Sequence, residues 1–324
     1  MPHKPVDHTR RDFVKQSAAT VAAGILAARL PVSAAEKGDA PIVYMTTDIS
    51  PRGLMQTYKA LGREPSGKVA IKLSMGEPGG HNFLAPKLIE ELTKLVGGTI
   101  VDSNTAYGGN RATVEKHLKT ARDHGFSAIA PIDILDSEGE VALPVPKGKH
   151  IKEDIVGSHF KNYDFYLILS HFKGHQMGGF GGALKNIAIG FASLGGKLYI
   201  HSAGKSRTSW ITTPQNDFLE AMAEAAQAIT LSAGKRIAYI NVMNRLSVDC
   251  DCSASPAEPD MKDIGILSSL DPVALDQACV DLVKAAPDGG SLVERMRSQN
   301  GEHILTHSEK LGVGKRQYKL VKLG

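Results

Sequence analysis

The chain has 324 residues, 42% of them apolar and 6% aromatic. That is enough for one large or two modest domains with a packed core, and it excludes a disordered chain. The formal charge of +4 sits mostly at the front: Lys4, Arg10, Arg11, Lys15 and Arg29 against Asp7 and Asp12 put +3 within residues 1–35 and leave about +1 elsewhere. A neutral body excludes phosphate-backbone binding, which needs clustered Lys and Arg, so no nucleic-acid partner is expected.

Residues 1–35 read as an address rather than as fold. "TRRDFVKQ" carries a twin-arginine pattern, followed by the apolar run "AATVAAGILAARL" and the small-residue exit "PVSAA". This is the layout of a signal peptide, too short and alanine-rich for a permanent membrane span. It predicts a periplasmic protein exported by the twin-arginine translocase, a route that carries folded chains and suits a bound cofactor. Residues 36–324 are then the mature domain, with no other segment long enough to cross a bilayer.

From residue 41 strands and helices alternate. "PIVYMTT", "KVAIKLSM" and "TIVDSN" predict short buried strands, with helices over "FLAPKLIEELTKLVGG" and "RATVEKHLKTARDHG". In the first helix Leu84, Leu88, Leu92 and Leu95 recur at helical spacing, and Gly97–Gly98 ends it. "DSEGEVALPVPKGKHIKED" reads as a charged hairpin or insertion that could separate two lobes. Beyond it come the strand "FYLILSHF", an alanine-rich helix near 214–232, the strands "RIAYINVM" and "DIGILSS", the helix "DPVALDQACVDLVKAA" and a final "KRQYKLVKL". Such alternation predicts an α/β fold, a mostly parallel sheet flanked by helices.

In open α/β sheets ligands sit beyond the carboxyl ends of strands. Four polar clusters fall there: "SMGEPGGHNF", "DSNTAYGGNR", "SHFKGHQMGGFGGALKN" and "SVDCDCSASPAEPD". The glycine-rich cluster fails the phosphate motifs, because Leu184 stands where a dinucleotide fingerprint needs glycine. "GKS" at 204–206 likewise lacks the first P-loop glycine, its place being held by Tyr199. Gly179, Gly181 and Gly182 can still bring backbone close to a ligand at a helix start, with Lys185 as a point charge on it. The plainer alternative is a packed glycine turn and a solvated lysine. His171 and His175 are candidate proton-transfer groups, or simply hydrogen-bonded side chains.

Asp102, Asn104, Tyr107 and Arg111 resemble a substrate-orienting set, Arg111 gripping a carboxylate bidentately. Asp102 could equally cap the next helix. If the chain is extended at "CDC", Cys250 and Cys252 point to one face, as two ligands of a soft metal or cluster must. A disulfide between them would close a very small strained ring, while free thiols or a redox couple remain open. His201, ending "KLYIHS", could join them as a ligand. Alternatively a homodimer could supply a second cysteine pair. Cys279 reads as core. His303 and His307 sit at true helical spacing and read as a helix face.

"DSNTAYGGNRATVEKHLKTARDHGF", "LSHFKGHQMGGFGGALKNIAIG", "CDC", "DIGILSSLDPVALDQACVDLV" and "GEHILTHSEKLGVG" together resemble the bacterial family known as domain of unknown function 362. Many members carry a ferredoxin-like iron–sulfur insert between the glycine-rich block and "CDC"; here "HSAGKSRTSWITTPQNDFLEAMAEAA" has no cysteine. The glycine-rich block is also similar to that of the nickel-pincer lactate racemases. That likeness implies a cofactor-anchoring role for Lys185 and a catalytic role for His171 or His175. The resulting expectation is an exported enzyme, redox in character, acting on a small molecule with an iron–sulfur cluster or a single Fe, Zn or Ni ion. The alternative is a non-catalytic metal or ligand carrier using Cys-x-Cys.

Overall fold

The apolar runs become strands, and helices follow several of them. The computed structural model describes residues 40–324; the segment read as a signal peptide lies outside the described residues. In chain order the elements are β1 (Ile42–Thr46), α1 (Pro51–Ala60), β2 (Val69–Lys72), α2 (Pro86–Val96), β3 (Thr99–Asp102), α3 (Val114–Asp123) and β4 (Ile132–Ile134). A hairpin of β5 (Glu140–Pro144) and β6 (Glu153–Gly157) precedes β7 (Phe165–His171). Next come the small pair β8 (Lys173–His175) and β9 (Gly179–Gly181), then α4 (Ala183–Phe191), α5 (Leu194–His201) and α6 (Gln215–Ala233). The chain ends with β10 (Ile237–Met243), β11 (Gly265–Ser269), α7 (Pro272–Ala285), α8 (Gly290–Ser298), α9 (His303–Leu311) and β12 (Lys319–Lys322).

Eight strands form one sheet in the order β12-β1-β11-β10-β7-β2-β3-β4. Only β11 runs against its neighbours; the other pairings are parallel. Side chains of β7 alternate between two cores, as the two-residue period of a strand requires. Tyr166 and Ile168 join the α4, α6 and α7 face, while Phe165, Leu167 and Leu169 join the α1 and α2 face. All seven residues of β7 and of β10 are buried, the mark of central strands covered on both sides.

Three expectations change. The β5–β6 hairpin divides nothing, since residues 40–324 all belong to one compact unit. The buried stripe of α2 is Ile89, Leu92, Thr93 and Val96, and Leu95 points to solvent; a left-handed Gly97 does end that helix. "CDC" is not extended but sits in a turn closed by Ser253 N–H on the Cys250 carbonyl. No helix among the described residues is long and apolar enough to cross a membrane.

Candidate functional site: a cationic cleft at the strand ends

The chain leaves β2, β3, β7 and β10 at one edge of the sheet, and the loops there surround a cavity of about 380 Å³. Lys72, the last residue of β2, is 1% exposed, so its ammonium must be satisfied inside the protein. It donates to Asp102 Oδ1 at 2.9 Å, Asn186 Oδ1 at 3.1 Å and the Leu73 carbonyl at 3.1 Å. Asp102, ending β3, also faces Arg111 Nη1 at 3.3 Å. Burial opposes its charge, but Lys72, His117 and Arg111 outweigh that and hold the carboxyl well below its usual range.

A second buried network lies opposite. Asp251 accepts from His171 Nδ1 at 2.8 Å and lies 2.8 Å from Lys173 Nζ. His171 Nε2 faces the Asn244 carbonyl at 2.7 Å, and Lys173 donates to the His171 carbonyl at 2.8 Å. Burial again works against the Asp251 charge, and Lys173 and His171 overcome it, pushing the carboxyl far down. Lys185 and Lys197 differ, since neither has a carboxylate partner among the described residues. Lys197 donates to the Ala192 carbonyl at 2.5 Å, and burial lowers it to about 8. Lys185 makes no hydrogen bond among the described residues; burial first, then Lys173, lower it to about 7. Five cationic side chains thus line the cleft against two carboxylates, both already engaged.

His175, Cys250 and Cys252 close one wall, with their candidate ligand atoms all within 4.8 Å of one another. Cys250 and Cys252 are joined as a disulfide, with Cα atoms 5.3 Å apart. The turn supplies the approach that an extended chain would deny. In this form there is no thiolate for a metal, whereas the reduced pair and His175 could hold one. The tautomer of His175 works against that. Its Nδ1 accepts from Gly178 N–H at 2.8 Å and Met177 N–H at 3.2 Å, which leaves the proton on Nε2. A metal-bound imidazole ordinarily donates its second N–H to an acceptor. Burial, then Lys185 and His201, also push His175 well below its usual pKa, so the ring is neutral.

Of the residues expected to act here, Asp102, Arg111, His171, His175, Gly181, Gly182, Lys185, His201, Cys250 and Cys252 line the cavity. Asn104 and Gly179 do not. Asn104 donates its backbone N–H to Asp136 Oδ1 and turns its amide oxygen to His117, and Gly179 packs on Gly301. Arg111 is consumed internally by Glu77, Asp102 and Tyr107, which leaves no fork for a substrate carboxylate. His171 has an acceptor on both ring nitrogens. His201 stands outside the cysteine group: its Nδ1 bonds the Lys197 carbonyl at 2.7 Å, and its ring stacks on Phe218 and meets Trp210 edge-on. Burial lowers its pKa to about 4.

The glycines are explained largely by protein rather than ligand. A Cβ on Gly182 would lie 2.3 Å from Asp276 Oδ1, and one on Gly174 would strike the Val248 backbone. Asp276 occupies the start of α4, accepting from Ala183 and Leu184 N–H at 2.8 and 2.9 Å. The helix terminus expected to hold a ligand anion is therefore closed from within. Lys72, Lys173 and Lys197 were not among the expected site residues; their readable signal is a lysine set inside an apolar pattern.

An α/β body with a cationic strand-end cleft and a cysteine pair in its wall is the class of protein defined here. The chain belongs to the family Domain of unknown function (DUF362), whose profile matches residues 69–281. No curated protein matches it. Among solved structures it is similar to the lactate racemase apoprotein from Thermoanaerobacterium thermosaccharolyticum, with 16% identity over 61% of this chain and 50% of that one and a TM-score of 0.41. It is also similar to a structural-genomics protein from Thermotoga maritima, with 14% identity over 80% of this chain and 58% of that one and the same TM-score of 0.41. The chain thus spans half of the first neighbour and little more than half of the second.

Proposed function

We propose that the protein is an exported enzyme that binds a small anionic substrate in this cleft and uses the Cys250–Cys252 pair for redox chemistry. The observation that carries the reading is that Lys185 and Lys197, cations without carboxylate partners among the described residues, share one cavity with a disulfide. An ammonium in a partly water-excluded site gains most from a ligand that brings the missing negative charge. The disulfide takes up two electrons and two protons from a dithiol or thiol reductant to give two thiols, and these pass both electrons and both protons to a reducible bond of the anionic substrate as the disulfide re-forms. His175, neutral and beside the sulfurs, can stabilise a leaving thiolate by a hydrogen bond from its Nε2–H, the proton itself coming from the attacking thiol. Export rests on the twin-arginine pattern at Arg10 and Arg11.

The two sulfurs and His175 also favour a second reading, a metal carrier loaded in the reduced state. The charge of the cleft disfavours it, because a bare divalent cation would enter among five cationic side chains. Calorimetry with small mono- and dicarboxylates and phosphate, on oxidised full-length protein, tests the choice. A ligand with Kd below about 1 mM that is lost on Lys185→Met, together with dithiothreitol-dependent turnover lost in Cys250→Ser/Cys252→Ser, is expected. Failure of every anion to bind, with one metal ion taken up per reduced chain, would establish the carrier instead.

A further inference from the structure

Away from the cleft, three histidines and three carboxylates converge where α6, α9 and the loop before β6 meet. Asp217, Glu220 and Glu224 recur at three- and four-residue spacing on α6, so they share one helix face. His303 and His307, four apart on α9, face them. His150 comes from the loop, and Glu224 holds that loop in place by accepting the backbone N–H groups of Lys149, His150 and Ile151 at 2.7, 2.9 and 2.8 Å. None of these residues lines the cleft.

We infer that His150, Asp217 and Glu220 form a second metal site, for a divalent cation of the zinc class. One ligand atom from each lies within 4.8 Å of the other two. His150 Nε2 is 2.8 Å from Glu220 Oε2 and 3.9 Å from Asp217 Oδ1. Ligands at 2.0–2.1 Å around a tetrahedral zinc stand about 3.4 Å apart, between those two distances. Imidazole with carboxylate is the donor mix that zinc accepts and that magnesium and calcium, which prefer oxygen alone, do not. His303 Nε2 binds the other oxygen of Glu220 at 3.0 Å and so orients that carboxylate, as the outer partners of metal ligands do. His307 packs beside the cluster, with Nδ1 3.8 Å from Glu220 Oε1. Its Nε2 is buried without a hydrogen-bond partner, 3.6 Å from Glu224 Oε1, beside the same carboxylates.

The Lys149 ammonium, 63% exposed, now sits 2.8 Å from Glu220 Oε2 and competes for the position of the ion. This competition gives a variant that must act in the opposite direction to the rest. Zinc is titrated into metal-stripped full-length Cys250→Ser/Cys252→Ser protein, which removes the sulfur ligands of the cleft. The expected result is one zinc per chain, with affinity falling at least about tenfold in His150→Gln and in Asp217→Asn while circular dichroism and metal-free melting stay unchanged. Lys149→Ala should bind zinc more tightly, by several-fold. Absence of zinc binding in the cysteine-free background, or affinity indifferent to His150→Gln and Asp217→Asn, overturns the site. Should either ligand variant fail to fold, Lys149→Ala still decides, because unchanged or weaker affinity there overturns it equally.

Discussion

Lys185→Met is expected to make the protein more stable and unable to bind its anion. The Lys185 amine falls from 10.5 to about 7 in the fold, because burial and Lys173 both disfavour the ammonium. Each unit corresponds to 1.36 kcal/mol, so the ceiling on the destabilisation is about 5 kcal/mol. The side chain keeps some contact with cleft water, and screening reduces the expected gain to about 1–3 kcal/mol. The sign follows from proton counting. Between pH 7 and 10.5 the unfolded chain holds the lysine proton and the folded chain does not, so stability rises with pH. The cost is complete below about pH 7 and gone above 10.5. Methionine cannot ionise, so the advantage of the variant should be largest at pH 6, smaller at pH 8 and small at pH 10. Urea denaturation at these three pH values measures it. A variant less stable than wild type at pH 6, or an advantage that does not shrink as pH rises, would refute the argument. In the wild type, anion affinity should weaken as pH climbs past 7, with the ammonium that attracts the ligand.

Asp251→Asn removes the anion between His171 and Lys173, both nearly inaccessible to water, and should cost about 3–5 kcal/mol; a loss under about 1 kcal/mol would show that the network is dispensable. Gly182→Ala should displace Asp276 from the Ala183 and Leu184 N–H groups and cost about 1–3 kcal/mol. Its combination with Asp276→Ala should be less than additive in denaturant melts, whereas lost anion binding at unchanged stability would return Gly182 to a ligand-contacting role. Arg10→Lys/Arg11→Lys should leave the chain in the cytoplasm, as cell fractionation would show; an undiminished periplasmic yield removes the twin-arginine assignment.

What could be read from the sequence divides along the line between local and distant information. "FYLIL" and "IAYINVM" announce buried strands because both faces of a central strand must be apolar, and this property is written in the strand itself. The reversal of β11 is not so written. It follows from the path of residues 244–264, whose turn also joins Cys250 to Cys252, and no period in a strand records its direction. The glycine-rich block misleads for a related reason: a glycine reports that something comes close, not what it is. At Gly182 and Gly174 it is Asp276 and Val248, both distant in sequence. The cleft itself could have been found by asking which charges sit where the pattern demands an apolar residue. Lys72 ends the fully buried "VAIK", Lys197 follows "SLGG" within an apolar helix, and Glu224 interrupts "AMAEAAQAI" with no exposure at all. A buried charge in an apolar run must meet a partner from another element, so each such residue predicts a polar centre without locating the partner. Two of the three lead into the cleft. Glu224, the third, leads to the helix-face histidines, which is why that cluster and not the glycines marks the second place where this fold concentrates chemistry.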